Sequence, residues 1–274
     1  MPYKRSDGER EQWMRDEAEL RLAAAEAVAR EAGALALRHF RAREALVVER
    51  KGPQDIVSEA DRAVERLVAA RLATLFPADG MLGEETGHRP GSDGLWVVDP
   101  IDGTWCFLNG IASWCVSLAY VRGGAIETGV VFDPNSGELF RARRGGGASL
   151  DGRPLRVANA GSLADGTVSV GYSLRVPPEQ VQGMIARLLA QGGMYHRHGS
   201  GALGLAWTAC GRLIGYVEAH MNSWDALAGL LLIREAGGFT NDFLAADGLH
   251  RGNRVVAGPT GLRAALEAVA GACG

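Results

Sequence analysis

Between residues 15 and 40 the chain is rich in Ala, Glu, Leu and Arg. Leu20, Ala24, Ala27, Ala34 and Leu35 form an apolar stripe against a charged face, which predicts a long helix. A second helix is predicted after Ser58, where Val64, Leu67, Val68, Leu72 and Leu75 recur at helical intervals and Pro77 lies just beyond. A strand-like run at 45–49 separates the two. Residues 83–94 read as turns, and 95–99 as a buried strand stopped by Pro100. The middle of the chain predicts strands at 114–121, 125–132 and 138–142, with hairpin signals at Arg122-Gly123-Gly124 and Asn135-Ser136-Gly137. Beyond it, predicted strands at 168–172, 214–218 and 254–257 alternate with helices at 178–191, 201–210, 225–236 and 261–270, and Gly237-Gly238 ends the third of these helices. No repeat or linker interrupts the order. Helices, then antiparallel strands, then alternating α and β predict an α/β (α+β) sandwich in one domain over 1–274, with intimately packed halves at about 15–150 and 151–274.

Composition narrows the function classes. A chain of 274 residues, 47% hydrophobic and 22% charged, has the makeup of an ordinary globular protein. Its net charge of −3 leaves no basic footprint for a nucleic-acid partner. The 38 glycines, scattered at element ends, imply many tight turns and some close backbone approaches to a ligand. Cys106, Cys115, Cys210 and Cys273 match no zinc spacing, and a chain of this length needs no disulfide framework. The acidic N-terminal stretch lacks an apolar signal core. The apolar run at 226–233 is far shorter than the roughly 20 residues a membrane span needs. A reducing, cytoplasmic setting without membrane contact is the expectation.

Carboxylates carry the chemistry, at Gly83-Glu84-Glu85, at Asp99-Pro100-Ile101-Asp102-Gly103-Thr104, and at Trp224-Asp225. In the second stretch two acids straddle a proline, so one turn can aim both of them, and the Ile101 carbonyl between them, at one point. Hard cations take such all-oxygen sets. Gly103-Thr104 adds backbone N–H groups for an anion, and a hydroxyl. Metal ligands beside a phosphate cradle are what two-metal ester hydrolysis requires. Each piece also has a plainer reading. Asp-Pro and Asp-Gly are ordinary turn chemistry, Glu84 and Glu85 suit a solvated loop, Asp225 suits a helix start, and Asp61 suits the N3 position of a cap begun by Ser58. The functional reading rests on their joint occurrence. His196 and His198, either side of Arg197, pair with nothing at ligand spacing and are assigned to a loop or an interface. Arg141, Arg143 and Arg144 read as a solvated strand end, and the tryptophans as core or interface residues.

The sequence resembles the inositol monophosphatase family. The matching stretches are Lys51-Gly-Pro-Gln-Asp-Ile-Val-Ser-Glu-Ala-Asp61, Gly83-Glu-Glu85, Trp96-Val-Val-Asp-Pro-Ile-Asp-Gly-Thr104, Gly199-Ser-Gly-Ala202 and Trp224-Asp-Ala-Leu-Ala-Gly229. Glu218 matches too, and the likeness covers about residues 15–270. The resemblance implies a layered αβαβα sandwich and a homodimer. It implies a phosphatase using two Mg²⁺, with a third, weaker ion near Glu84 in some relatives. The first ion would be surrounded by Glu84, Asp99, the Ile101 carbonyl and Thr104. Asp99, Asp102 and Asp225 would hold the second. Thr104, hydrogen-bonded to Asp61, would orient the attacking water together with Glu84. Backbone N–H groups of Gly103 and Thr104 would bind phosphate. Ser200, Gly201 and Glu218 would face the alcohol, and Lys51 matches a lysine near the metal loop. The implied substrate is inositol 1-phosphate, and Li⁺ and Ca²⁺ would inhibit. Histidinol phosphate is the alternative substrate within the family, and binding to the transcription machinery is the alternative of another class. Sulfonucleotide and fructose 1,6-bisphosphate rank behind, the nucleotide branch usually carrying Leu in place of Ile101. Trp105-Cys106-Phe107 departs from the family's variable-Asn-Phe, and Gly204 and Ile214 stand where many relatives carry Asp.

Overall fold

The computed structural model describes residues 7–45, 48–52 and 55–271, with side chains over 15–44 and 58–271; Lys51 is outside the described side chains. Helix α1 (Asp7–Arg41) is followed by a short hairpin of β1 (Val48–Gly52) and β2 (Asp55–Ser58), then by α2 (Glu59–Leu75). Ser58 caps α2. Its hydroxyl accepts from the Ala60 and Asp61 amides, and the Asp61 carboxylate accepts from the Ser58 amide at 2.9 Å.

Strands β3 (Gly80–Gly83), β4 (Gly87–Arg89), β5 (Leu95–Asp102), β6 (Cys115–Arg122), β7 (Ala125–Asp133), β8 (Glu138–Arg143), β9 (Gly147–Leu150) and β10 (Arg153–Pro154) form one sheet, ordered β10-β9-β8-β7-β6-β5-β3-β4. β3 and β5 run parallel; the other pairs in this sheet are antiparallel. A single-turn helix α3 (Thr104–Leu108) follows β5. The second sheet contains β11 (Thr167–Val170), β12 (Met194–His196), β13 (Gly215–Met221), β14 (Gly238–Thr240) and β15 (Asn253–Pro259), ordered β12-β11-β13-β15-β14. Between these strands lie α4 (Pro178–Ala190), α5 (Gly201–Ala209), α6 (Ser223–Glu235) and α7 (Gly248–Arg251), and α8 (Arg263–Ala270) closes the fold.

Side-chain alternation stacks these elements into αβαβα layers. Trp96 and Val98 of β5 and Leu118 and Tyr120 of β6 pack on α1 and α2. Val97, Ala119 and Val131 point the other way, onto Leu205, Leu227 and Leu231 of α5 and α6. Tyr216, Val255 and Ala257 of the second sheet join that same middle layer. Its outer face, with Val168, Val217 and Val256, packs on Met184 and Leu188 of α4 and Leu266 of α8. Helices α5 and α6 are apolar nearly all round because they lie between two sheets.

Several short elements depart from the sequence expectation. β3 and β4 lie in or beside the stretch read as turns, and β5 runs past Pro100 to Asp102. The β5–β6 register shifts between Asp99 and Asp102, an irregularity that accommodates a residue without an N–H. Arg21 fixes the start of β3. It is 4% exposed and bonds Asp79 through Nε (3.0 Å) and Nη2 (3.1 Å), while Trp96 Nε1 donates to the same carboxylate at 3.0 Å. Arg141, Arg143 and Arg144 pair with Glu26, Glu19 and Glu127, so the strand end is tied down by ion pairs, two of them to α1. Cys106, Cys115 and Cys210 are free thiols. Among the described residues no helix is long and apolar enough to cross a membrane.

Candidate active site

The parallel pairing of β3 with β5 brings two strand ends to the same edge. Gly83 pairs with Val98, and the Glu84 amide donates to the Val98 carbonyl at 3.2 Å. Glu84 therefore sits beside Asp99. At the end of β5 the Ile101 amide donates to Asp99 Oδ1 at 3.0 Å, and the Ile101 carbonyl accepts from Thr104 Oγ1 at 3.1 Å. On the helix layer between the two sheets, Asp225 is the N3 residue of α6, held by the Asn222 amide and side chain at 3.3 and 3.4 Å. Carboxylate oxygens of Asp99, Asp102 and Asp225 lie within 4.8 Å of one another.

Asp102 also joins the end of β5 to the start of α5. It accepts from Ser200 Oγ at 2.6 Å, from the Ala202 amide at 2.6 Å and from the Gly201 amide at 3.3 Å, all at the start of α5. Ser200, expected to face the substrate alcohol, is 2% exposed. Its hydroxyl is engaged by Asp102 and by the Leu203 amide at 3.2 Å, although the residue also lines the smaller cavity described below. Asp61 is fully buried, with Thr104 Oγ1 at 3.4 Å from its Oδ1, so the cap acid and the Thr104 partner are the same residue. Glu65, not singled out in the sequence, carries the loop around Glu84. Its buried carboxylate accepts from the Glu85 and Thr86 amides, each at 2.8 Å. Seven residues after Ser58 on an apolar helical face, its charge was the only available signal.

Burial and mutual repulsion dominate the electrostatics. Burial first, then the charges of Asp225 and its neighbours, hold Glu84 well above the usual carboxylate range. Asp99 is raised in the same way, by burial and then Glu84. Burial and Asp102 push Asp225 up to about 7. Such a cluster must take up protons or a cation. Its donors are oxygens, with no His or Cys in the set, which fits a hard divalent ion such as Mg²⁺. The nearest thiol, Cys115, lies 3.8 Å from Asp102 Oδ2 but is buried, and burial holds it protonated.

Gly103 turns the chain out of β5 with φ 99° and ψ 36°, and a Cβ there would meet Ser113 O at 2.8 Å and Ser200 Cβ at 3.2 Å. Only glycine fits that turn. Gly103 and Thr104 open onto a cavity of about 610 Å³, also lined by Glu84, Asp225, Glu218, Arg175 and Arg197. A smaller recess of about 140 Å³ adjoins it, floored by Gly171, Gly201 and Tyr216. Tyr216 donates its hydroxyl to Glu218 Oε2 at 2.6 Å, and burial pushes Glu218 up to about 8. A Cβ at Gly171 would sit 2.0 Å from that oxygen, so the backbone there is bare to admit the carboxylate. His198 contacts Ser113 and also lines the smaller recess. Trp105 is 43% exposed at the larger one, unlike the core residues Trp96 and Trp114.

A sequence model described as the inositol monophosphatase family matches residues 17–272. The chain belongs to the inositol monophosphatase family. It is 40% identical over 251 residues to an inositol-1-monophosphatase of Mesorhizobium japonicum, covering 88% of this chain and 92% of that protein. It is 42% identical over 221 residues to the Nus factor SuhB of Xylella fastidiosa, covering 80% of each. Among solved structures, the extragenic suppressor protein suhB of Bartonella henselae superposes with a TM-score of 0.86 at 34% identity, over 91% of this chain and 97% of that one. An IMPase of Thermotoga maritima gives 0.82 at 31% identity, over 91% and 96%. As a family member the protein is a phosphatase of a generally metal-dependent family, and it carries a cluster of three acidic residues, Asp99, Asp102 and Asp225.

Proposed function

We propose that the protein is a Mg²⁺-dependent phosphomonoesterase acting on a small polyhydroxylated phosphate ester, with inositol 1-phosphate the first candidate. The observation that carries this reading is the Asp99–Asp102–Asp225 cluster opening beside Gly103 and Thr104. Glu84, Asp99, Asp102, Asp225 and the Ile101 carbonyl would hold two ions, and the family resemblance adds a third, weaker one near Glu84. Bound there, Mg²⁺ would make water acidic enough to attack at neutral pH and would offset charge on the phosphoryl group. Thr104 directs its hydroxyl hydrogen to Asp61 and the Ile101 carbonyl, so its oxygen is left to accept a hydrogen bond from an incoming water, and with Glu84, whose carboxylate can take the water's proton, it would orient that water. Backbone N–H groups of Gly103 and Thr104 steady the phosphate. Asp225 and Asp102 flank the ester, and Glu218, braced by Tyr216, accepts hydrogen bonds from hydroxyls of the alcohol together with the backbone at Ser200 and Gly201.

The test is phosphate release from inositol 1-phosphate, histidinol phosphate and an aryl phosphate, with Mg²⁺ and with excess chelator. Turnover that survives chelation overturns the proposal. The family resemblance adds inhibition by Li⁺, a homodimer measurable by light scattering, and a cytoplasmic location. Relatives named Nus factor SuhB favour a second reading, in which the protein also binds the transcription machinery; co-elution with purified RNA polymerase tests it.

A further inference from the structure

The turn between β3 and β4 consists of Glu84, Glu85 and Thr86, and all three of its amides are engaged. The Glu84 amide goes to the Val98 carbonyl of β5, while the Glu85 and Thr86 amides both go to the carboxylate of Glu65 on α2. The Thr86 hydroxyl donates to the same carboxylate. Gly83, at the entry to the turn, makes room for it. A Cβ there would sit 2.3 Å from Glu65 Oε1, so glycine is required for space, since its φ is not positive.

Closing a hairpin does not demand this arrangement. Glu85 is half-buried and Thr86 exposed, so water could satisfy their amides. Glu65 is instead fully buried, and taking a carboxylate out of water is costly. What the carboxylate adds is a backbone held on the far side of Glu84, as Val98 holds it on the near side. Asp61, the acid that reaches Thr104, lies one helical turn earlier on the same face of α2 and is equally buried. Thr104 and Glu84 are the two groups that would orient the attacking water. They stand at the ends of different strands, and one face of one helix reaches both.

We infer that Glu65 is a positioning residue for the reaction: with Asp61 it makes the buried face of α2 a frame that sets the direction of Glu84 against Thr104. The inference rests on the phosphatase reading and adds to it a residue that acts only through Glu84.

The experiment compares the wild type with Glu65→Gln, Thr86→Val and Leu72→Ala. Glutamine keeps the size of Glu65 but turns its NH₂ toward one of the turn's donors. Thr86→Val removes the hydroxyl bond alone. Leu72→Ala opens a gap in the core two turns further along the same helix. Melting curves, kcat and KM on the best-used ester, and calorimetric titration of the metal-free protein with Mn²⁺ are measured for all four. Glu65→Gln is expected to lower kcat about ten- to a hundredfold with KM within about twofold, and to weaken Mn²⁺ binding about tenfold. Thr86→Val shows a loss of about two- to tenfold in the same quantities. Leu72→Ala lowers the melting temperature but leaves kcat and Mn²⁺ affinity within about twofold of the wild type. Wild-type kcat and Mn²⁺ affinity in Glu65→Gln overturn the inference, and so do equal losses in Leu72→Ala, which would trace the effect to general stability. If Glu65→Gln does not fold, Thr86→Val decides alone, and wild-type values in it overturn the inference. If the wild type hydrolyses no ester but binds Mn²⁺, and Glu65→Gln weakens that binding, the positioning of Glu84 stands and the phosphatase reading falls. If the wild type neither hydrolyses an ester nor binds Mn²⁺, both fall.

Discussion

Ser113 Oγ lies 2.6 Å from the carbonyl oxygen of His198 and 2.6 Å from its Nδ1. The hydroxyl donates to the carbonyl, so the ring contact runs the other way, from Nδ1–H to Oγ. That leaves Nε2 a bare acceptor, and it is buried without a partner. The contact fastens the loop before β6 to the loop before α5, directly over Gly103, whose own turn abuts Ser113 and Ser200.

Ser113→Ala should loosen this clasp. Loss of both bonds is expected to lower stability by about 1–3 kcal/mol and kcat/KM by roughly tenfold as the cradle drifts from Asp102. Ser113→Thr should restore both. Melting curves and steady-state rates check this; wild-type kcat/KM in the alanine variant would remove the positioning role.

The same ring gives a pH dependence. Burial, with some repulsion from His196, holds His198 down at about 4 from its usual 6.5, against a small opposing pull from Asp133. The unfolded chain therefore binds the extra proton first, and stability contributed by the neutral ring is full above pH 6.5 and drains as pH falls toward 4. Between pH 7 and pH 5 the wild type should lose about 1–2 kcal/mol more than His198→Asn. Parallel pH profiles of melting temperature for the two proteins would contradict the assignment.

Asp99→Asn should abolish turnover by at least about a thousandfold, whereas Asp61→Asn should leave a slow enzyme, reduced about ten- to a hundredfold. Asp99 lies within the acid cluster, while Asp61 reaches Thr104 across 3.4 Å. Removing one of several mutually repelling buried acids should also raise the melting temperature of the metal-free protein. Equal residual rates in the two variants, or a less stable metal-free Asp99→Asn, would refute this account.

Glu218→Gln should lower kcat/KM about ten- to a hundredfold for a hydroxylated substrate and much less for an aryl phosphate. Tyr216→Phe should reproduce a weaker version, because its hydroxyl braces Glu218 at 2.6 Å. Equal loss on both substrates would place Glu218 in the metal site instead.

The long periodic elements were legible. α1, α2, α4, β6 and β7 follow from apolar spacing that faces one layer, and α5 and α6 from apolar runs that suit a helix buried between two sheets. β3 and β4 were not, because strands of four and three residues in a glycine-rich stretch carry too few positions to show a period. The joint occurrence of Asp99, Asp102, Glu84 and Asp225 pointed to the acid cluster, since motif spacing survives folding. Glu65, Tyr216 and the Ser113–His198 clasp were invisible: each acts on a partner, and a partner far along the chain leaves no mark on local pattern. Ser200 shows the converse, a residue in the right place whose hydroxyl turns to Asp102.

The split origin of the acid cluster has a kinetic consequence. Asp99 and Asp102 belong to the first sheet, Glu84 to the turn that follows its strand β3, and Asp225 to the start of a helix that follows the strand β13 of the second. These groups meet only when the sheets have docked through α5 and α6, late in the assembly of long-range contacts. A divalent ion that needs all of them should bind after the folding barrier has been crossed. At about a hundred times its dissociation constant it would then slow unfolding in denaturant by about a hundredfold, equivalent to about 2.7 kcal/mol, and leave the refolding rate unchanged. Stopped-flow traces with Mg²⁺ and with chelator decide it. Equal acceleration of refolding would mean that the two sheets dock early. On this account the ion governs how long the native molecule persists, and has no part in how fast it forms.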